Sequence, residues 1–207
     1  VLVLDNQIIG EGWHHQAGLP HAEINALESI TQSSNGATLY VTLEPCAHEG
    51  KTGPCCKALV EANIARVVIA CQDPFEEVAG KGIAMLRAAG IEVMVGLMEV
   101  EARLLNRGFF SRIERKRPFV CLKIATSMDG AIAMKNGESQ WITGEHARAD
   151  VQKLRAQSGA IMTGSGTVLN DNPALTVRDD SLTKNQPLRV ILDSQLNISP
   201  SAKIFQN

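Results

Sequence analysis

Three side chains able to bind a metal stand where the sequence reads as junctions between strands and helices. His21 opens the helix-like run HAEINALESI, Cys46 follows the strand-like run ATLYVTL, and Cys55 comes directly after Pro54, which suits the first position of a helix. One imidazole, two thiolates and an open fourth position make the donor set of a catalytic zinc site; a structural site closes on four protein ligands. Borderline-soft zinc accepts both nitrogen and sulfur. Helix N-termini stabilise thiolates and carboxylates by their partial positive charge. Zinc lowers the pKa of a bound water to about 7. Glu23 lies two residues beyond His21, so it can stand near the metal without binding it. That suits a proton shuttle between water, a ring nitrogen and a leaving amine. Such chemistry on an amino-heterocycle yields a carbonyl and ammonia. A lone H-x-E or a lone cysteine would carry little weight; the three features together carry the reading. Cys56, Cys71 and Cys121 read as small core residues. His14 and His15 read as surface or pocket-wall residues at a strand end, and His146 as a surface residue at a helix start.

The elements that must hold these groups follow from the pattern. Residues 1–4 and 8–15 read as a hairpin, with a helix after Pro20 ended at Ser33-Ser34-Asn35-Gly36. Strands are expected over 37–43, 66–71 and 91–95, and helices over 54–63, 80–89 and 98–113. This alternation argues an α/β layered fold with a largely parallel sheet. Arg115-Lys116-Arg117-Pro118 marks the domain boundary, giving domains 1–117 and 118–207. Beyond it, strands are expected over 119–125, 159–163 and 187–193 and a helix over 145–157.

Composition fits this picture. The chain has 207 residues, 44% hydrophobic and 20% charged, with net charge −2. That is an ordinary globular balance, with no general basic surface for nucleic acid. No run approaches the ~18 apolar residues of a membrane span, and nothing reads as an export signal. Five cysteines, clustered in a cytoplasmic-looking chain, point to a metal rather than disulfides. Both ends read as cuts through folded units.

HAE followed by TLEPC resembles the zinc-dependent cytidine and nucleobase deaminase superfamily, whose signature contains P-C-x-x-C. Here eight residues separate Cys46 from Cys55. That longer loop resembles the family of bifunctional riboflavin-biosynthesis deaminase–reductases. So do Gln72-Asp73-Pro74, VAGKG, LNRGF, LKIATSMDGAIA, GESQWIT and TGSGTVLNDNPALTVR, which carry the likeness along nearly the whole chain. The resemblance implies a cytidine-deaminase-like three-layer domain, lacking its N-terminal helix, followed by a partial dihydrofolate-reductase-like α/β domain. It implies His21, Cys46 and Cys55 as zinc ligands and Glu23 as the acid/base, with His48 and Lys51 suited to a ribose phosphate. In the second domain it implies Lys123 in catalysis, and Ser139, Arg155, Leu175 and Arg178 at the substrate. Ala125, Trp141, Thr167, Asp171 and Ser194 would lie along NADPH. Gly164 and Gly166 would let the chain's backbone approach a cofactor closely, although no third glycine completes a dinucleotide fingerprint.

The function implied is hydrolytic deamination of 2,5-diamino-6-ribosylamino-4(3H)-pyrimidinone 5′-phosphate, then NADPH-dependent reduction of its ribosyl side chain to ribityl. A small-molecule substrate and a homo-oligomer belong to the same expectation. Ala47, Gly53, Phe75-Glu76 and Asn172 depart from the common family pattern; none is an expected ligand or shuttle. Two other readings share parts of the motif. One is a zinc deaminase of another base or nucleoside with a non-functional second domain. The other is a binding module stapled by zinc, which needs a fourth protein ligand such as Cys56 or His48.

Overall fold

The computed structural model describes residues 1–48 and 53–206, in two compact units, Val1–Cys121 and Leu122–Asn207. The first unit is built on a five-stranded sheet. Strands β1 (Leu2–Leu4) and β2 (Gln7–Gly10) form a tight hairpin whose turn residues Asp5 and Asn6 both take positive φ. Helix α1 (Ala22–Glu28) leads to β3 (Thr38–Leu43), α2 (Cys55–Glu61) to β4 (Arg66–Cys71), and α3 (Lys81–Ala88) to β5 (Glu92–Val95). The strand order is β2-β1-β3-β4-β5, with β3, β4 and β5 parallel and the hairpin antiparallel.

The core explains the layers. Leu39, Val67 and Ile69 of the sheet pack with Ala26 of α1, Leu59 of α2 and Ile83 and Leu86 of α3. Val68 points the other way along β4 and is also buried, so both faces of the strand are covered. Helix α4 (Glu99–Leu105) packs on β4, and Ala102 and Phe110 form a small core with Cys71. The single helix expected over 98–113 is two: α4 ends at Asn106, whose φ of −103° and ψ of 21° leave the helical region, and α5 (Arg107–Arg115) begins there. The strand expected to reach residue 15 stops at Gly10, since no ladder continues beyond it.

The second unit contains α6 (Glu145–Ala156), β6 (Ala160–Gly164), α7 (Ser165–Asp171) and β7 (Leu188–Leu192), with β6 and β7 paired in parallel. Helix α7 is absent from the sequence expectation, because its Gly and Asn content reads as loop. Residues 119–125 were expected as a strand and form none: the run FVCLKIA is apolar apart from Lys123, but no described segment offers it a ladder partner. Cys121, expected in a core, is exposed, whereas Cys56 and Cys71 are buried as expected. No helix among the described residues is long and apolar enough to cross a membrane.

Candidate metal centre and its surroundings

Three elements deliver the candidate ligands. His21 is the N-cap of α1, Cys46 lies just past the end of β3, and Cys55 is the first residue of α2. Their ligand atoms all lie within 4.8 Å of one another. The Nδ1 of His21 is 3.6 Å from Cys46 Sγ and 3.2 Å from Cys55 Sγ. Tetrahedral zinc, with bonds of about 2.0–2.3 Å, sets its donors roughly 3.5 Å apart, so the arrangement fits that ion. No fourth His, Cys, Asp or Glu joins them among the described residues. Cys56, the neighbour a structural site would recruit, donates instead to Pro45 O at 3.3 Å and Gly82 O at 3.6 Å.

Local electrostatics prepare the thiols unequally. Hydrogen bonds from the Cys55 side chain and then its N–H (3.3 Å) favour the Cys46 thiolate and bring its pKa down to about 5. Sharing that hydrogen bond pushes Cys55 up, and burial adds to the effect. Burial first, then the Cys46 and Glu23 charges, hold Cys56 up at about 12, so it stays a neutral thiol.

Glu23 lies in the first turn of α1, 6% exposed. Burial raises its pKa above the usual carboxylate range. Beside it a recess of about 130 Å³ is lined by Gly12, Ala22, Leu39, Tyr40 and Thr42 among others. A Cβ at Gly12 would stand 2.4 Å from Ala26 N and 2.5 Å from Ala22 O, so only glycine lets this segment lie against α1.

His48 is half-buried, and its Nδ1 has no hydrogen-bond partner among the described residues. Lys51 lies outside the described residues. His14, expected on the surface or a pocket wall, packs edge-on against His21 with ring centroids 5.1 Å apart, and its Nδ1 meets Pro20 O at 3.0 Å. Glu44, which sequence reasoning passed over, is 4% exposed and accepts three backbone N–H groups. Its only sequence signal was its place in TLEPC.

In the second unit some of the expected residues come together. Arg155 on α6 donates to Thr176 O at 3.0 Å, and Gln152 of the same helix accepts the Arg178 N–H at 2.9 Å. These bonds tie Thr176 and Arg178 to α6, with Leu175 preceding Thr176 in the chain. Burial, then the nearby Arg178 charge, lowers the Arg155 pKa. Thr167 and Asp171 lie on α7 directly after β6, and Ser194 follows β7. Since Gly164 pairs with Leu192, these positions share the carboxyl edge of the β6–β7 pair, the usual place for ligands in parallel sheets. A Cβ at Gly164 or Gly166 would meet nothing within 4 Å. Trp141 is exposed and lies under the Arg148 guanidinium at 4.6 Å. Lys123, Ala125 and Ser139 lie in the segment before α6, and among the described residues no hydrogen bond, ion pair or ring contact ties them to the β6–β7 edge.

Residues 1–71 match the cytidine and deoxycytidylate deaminase zinc-binding region, and residues 118–207 match the RibD C-terminal domain. The riboflavin biosynthesis protein RibD of Escherichia coli is 51% identical over 217 residues, covering 100% of this chain and 59% of that protein. That of Haemophilus influenzae is 50% identical, covering 99% and 58%. A solved structure of Acinetobacter baumannii RibD superposes with a TM-score of 0.91 at 51% identity. The Thermotoga maritima diaminohydroxyphosphoribosylaminopyrimidine deaminase/5-amino-6-(5-phosphoribosylamino)uracil reductase superposes at 0.93 with 43% identity. Each structure is covered over 59% of its length and covers 100% of this chain. The chain thus spans about three-fifths of the length of the relatives it matches. With about half its residues shared along its whole length and both family models matched in order, the chain belongs to the RibD family of riboflavin biosynthesis proteins.

Proposed function

We propose that the first unit hydrolytically deaminates 2,5-diamino-6-ribosylamino-4(3H)-pyrimidinone 5′-phosphate, and that the second unit carries part of an NADPH-dependent reductase for the ribosyl side chain. The observation that carries the reading is the His21, Cys46 and Cys55 cluster with buried Glu23 beside it. His21, Cys46 and Cys55 would hold zinc. When bound, zinc supplies the Lewis acidity that lets water act as a nucleophile near neutral pH.

The chain's own residues do the rest. The recess beside Glu23 takes the heterocycle. Glu23 takes a proton from water, gives one to the ring nitrogen and finally protonates the leaving amine. Burial raises its proton affinity toward the range a group needs to both take and release protons near neutrality. The amine-bearing carbon loses ammonia and becomes a carbonyl, one water consumed for each ammonia released. His48 and Lys51 suit the ribose phosphate by their chemistry, with the lysine as a point charge.

In the second unit Arg155 and Arg178 pair with the phosphate, with Ser139 and Leu175 against the rest of the substrate and Lys123 at the reacting end. Ala125, Trp141, Thr167, Asp171 and Ser194 hold the cofactor. NADPH, when bound, supplies the hydride. The domain limits 1–117 and 118–207, a cytoplasmic location and a homo-oligomeric state belong to the same reading, on family likeness.

The deciding assay offers the zinc-loaded chain three substrates: the phosphoribosyl diaminopyrimidinone, cytidine and guanine. Ammonia is expected from the first alone. Equal release from cytidine or guanine would overturn the substrate assignment.

A further inference from the structure

Glu44 lies two residues before Cys46, yet its carboxylate is spent on a distant segment. One oxygen accepts Asp73 N at 3.2 Å and Gly80 N at 3.0 Å; the other accepts Ile83 N at 3.1 Å. The Glu44 N–H in turn donates to Cys71 O at 3.0 Å. The group is 4% exposed. A buried carboxylate is costly unless its oxygens are satisfied, and here both are, by main-chain donors from the stretch that joins β4 to α3 and from the first turn of α3.

The turn that Glu44 begins is clamped on its other side too. Cys55 N and Cys56 N donate to Cys46 Sγ and Cys46 O at 3.3 and 3.1 Å, and the Cys56 thiol donates to Pro45 O. Gly82 lies so close to Pro45 that a Cβ there would stand 2.0 Å from Pro45 O and 3.2 Å from the Glu44 carboxylate. The short run Glu44-Pro45-Cys46 is therefore gripped between the starts of α2 and α3. The Glu44 side chain is the link to α3 and to Asp73, a residue 8% exposed.

We propose that Glu44 is a positioning residue of the metal centre: by clipping Asp73, Gly80 and Ile83 to the end of β3, it fixes the aim of Cys46. The inference rests on reading His21, Cys46 and Cys55 as a metal site. Groups behind a ligand tune metal affinity when they fix its orientation, by roughly 10- to 100-fold.

The test is a cobalt(II) titration of the whole chain, as wild type, Glu44→Gln and Glu44→Asp, reading the sulfur-to-cobalt charge-transfer band, the visible ligand-field bands and the dissociation constant. Gln keeps the shape but turns a donor toward backbone N–H groups. Asp keeps the charge but falls short of them, and serves if the Gln variant does not fold. Val67→Ala, a truncation at a buried core position of β4, is the comparator for general loss of stability. Expected are a wild-type charge-transfer band, at least about tenfold weaker cobalt binding with shifted ligand-field bands in a Glu44 variant, and wild-type bands in Val67→Ala. Glu44 variants with wild-type affinity and bands, or changes that Val67→Ala reproduces, would overturn the inference alone. A wild-type chain with no sulfur-to-cobalt band would overturn the metal-site reading, and the inference with it.

Discussion

Gly82 sits against Pro45 with no room for a side chain: the first atom of one would lie 2.0 Å from the Pro45 carbonyl oxygen. Gly82→Ala must push the start of α3 away from the turn that carries Cys46. We expect a loss of about 1–3 kcal/mol, as for other overpacked sites, together with reduced zinc content. Denaturant midpoints and metal analysis of the purified variant check both. A variant with wild-type stability would show that the two segments separate freely.

Glu23→Gln keeps the size of the side chain but removes its ability to exchange a proton. Zinc stoichiometry should stay at the wild-type level while ammonia release falls roughly 10²- to 10⁴-fold, the usual contribution of a general acid–base. Unchanged ammonia release would remove Glu23 from the mechanism.

The free thiols should separate by environment. Cys121 is exposed and Cys46 half-buried, while Cys56 and Cys71 are buried with raised pKa values. In the metal-loaded chain at pH 7 we expect about one thiol to react rapidly with a disulfide reagent, and about two after chelation, when the Cys46 thiolate is freed. Cys46→Ser should abolish the gain. If chelation adds no fast thiol, Cys46 is not covered by a metal.

Asp73 gives a pH signature in stability. Burial raises its pKa above the ordinary 3.8, partly offset by the Phe75 N–H bond at 2.8 Å. The folded chain therefore holds this proton more tightly than the unfolded chain. As pH rises from the ordinary Asp range through the folded value, the unfolded state gives up the proton first and the fold loses stability. Asp73→Asn, which can still accept from Phe75 N–H, should flatten that decline. Denaturant midpoints from pH 4 to 7, with chelator in both samples, measure it. Parallel curves for the two proteins would show that Asp73 titrates alike in both states.

The metal centre was legible because each ligand sits at a change of hydrophobic period, and strand ends and helix starts are where such patterns break. The parallel core strands were legible as apolar runs of matching length. Glu44 was not, because its partners lie 29 to 39 residues along the chain, and nothing local marks a carboxylate that caps a distant helix. The break at Asn106 lay inside a continuous helical pattern. Residues 119–125 show the reverse failure: an apolar run describes what a strand would bury, whereas a strand exists only if a neighbour completes its ladder.

His21 and Glu23 ride on one turn of α1, and that turn rests on the notch left by Gly12. Ion-holding and proton-carrying groups therefore travel as a single piece, and a lesion beneath the helix should degrade both in proportion. Cys46 and Cys55 come to the same cluster from the end of β3 and the start of α2, so a disturbance confined to α1 would move one of the three ligands against the other two.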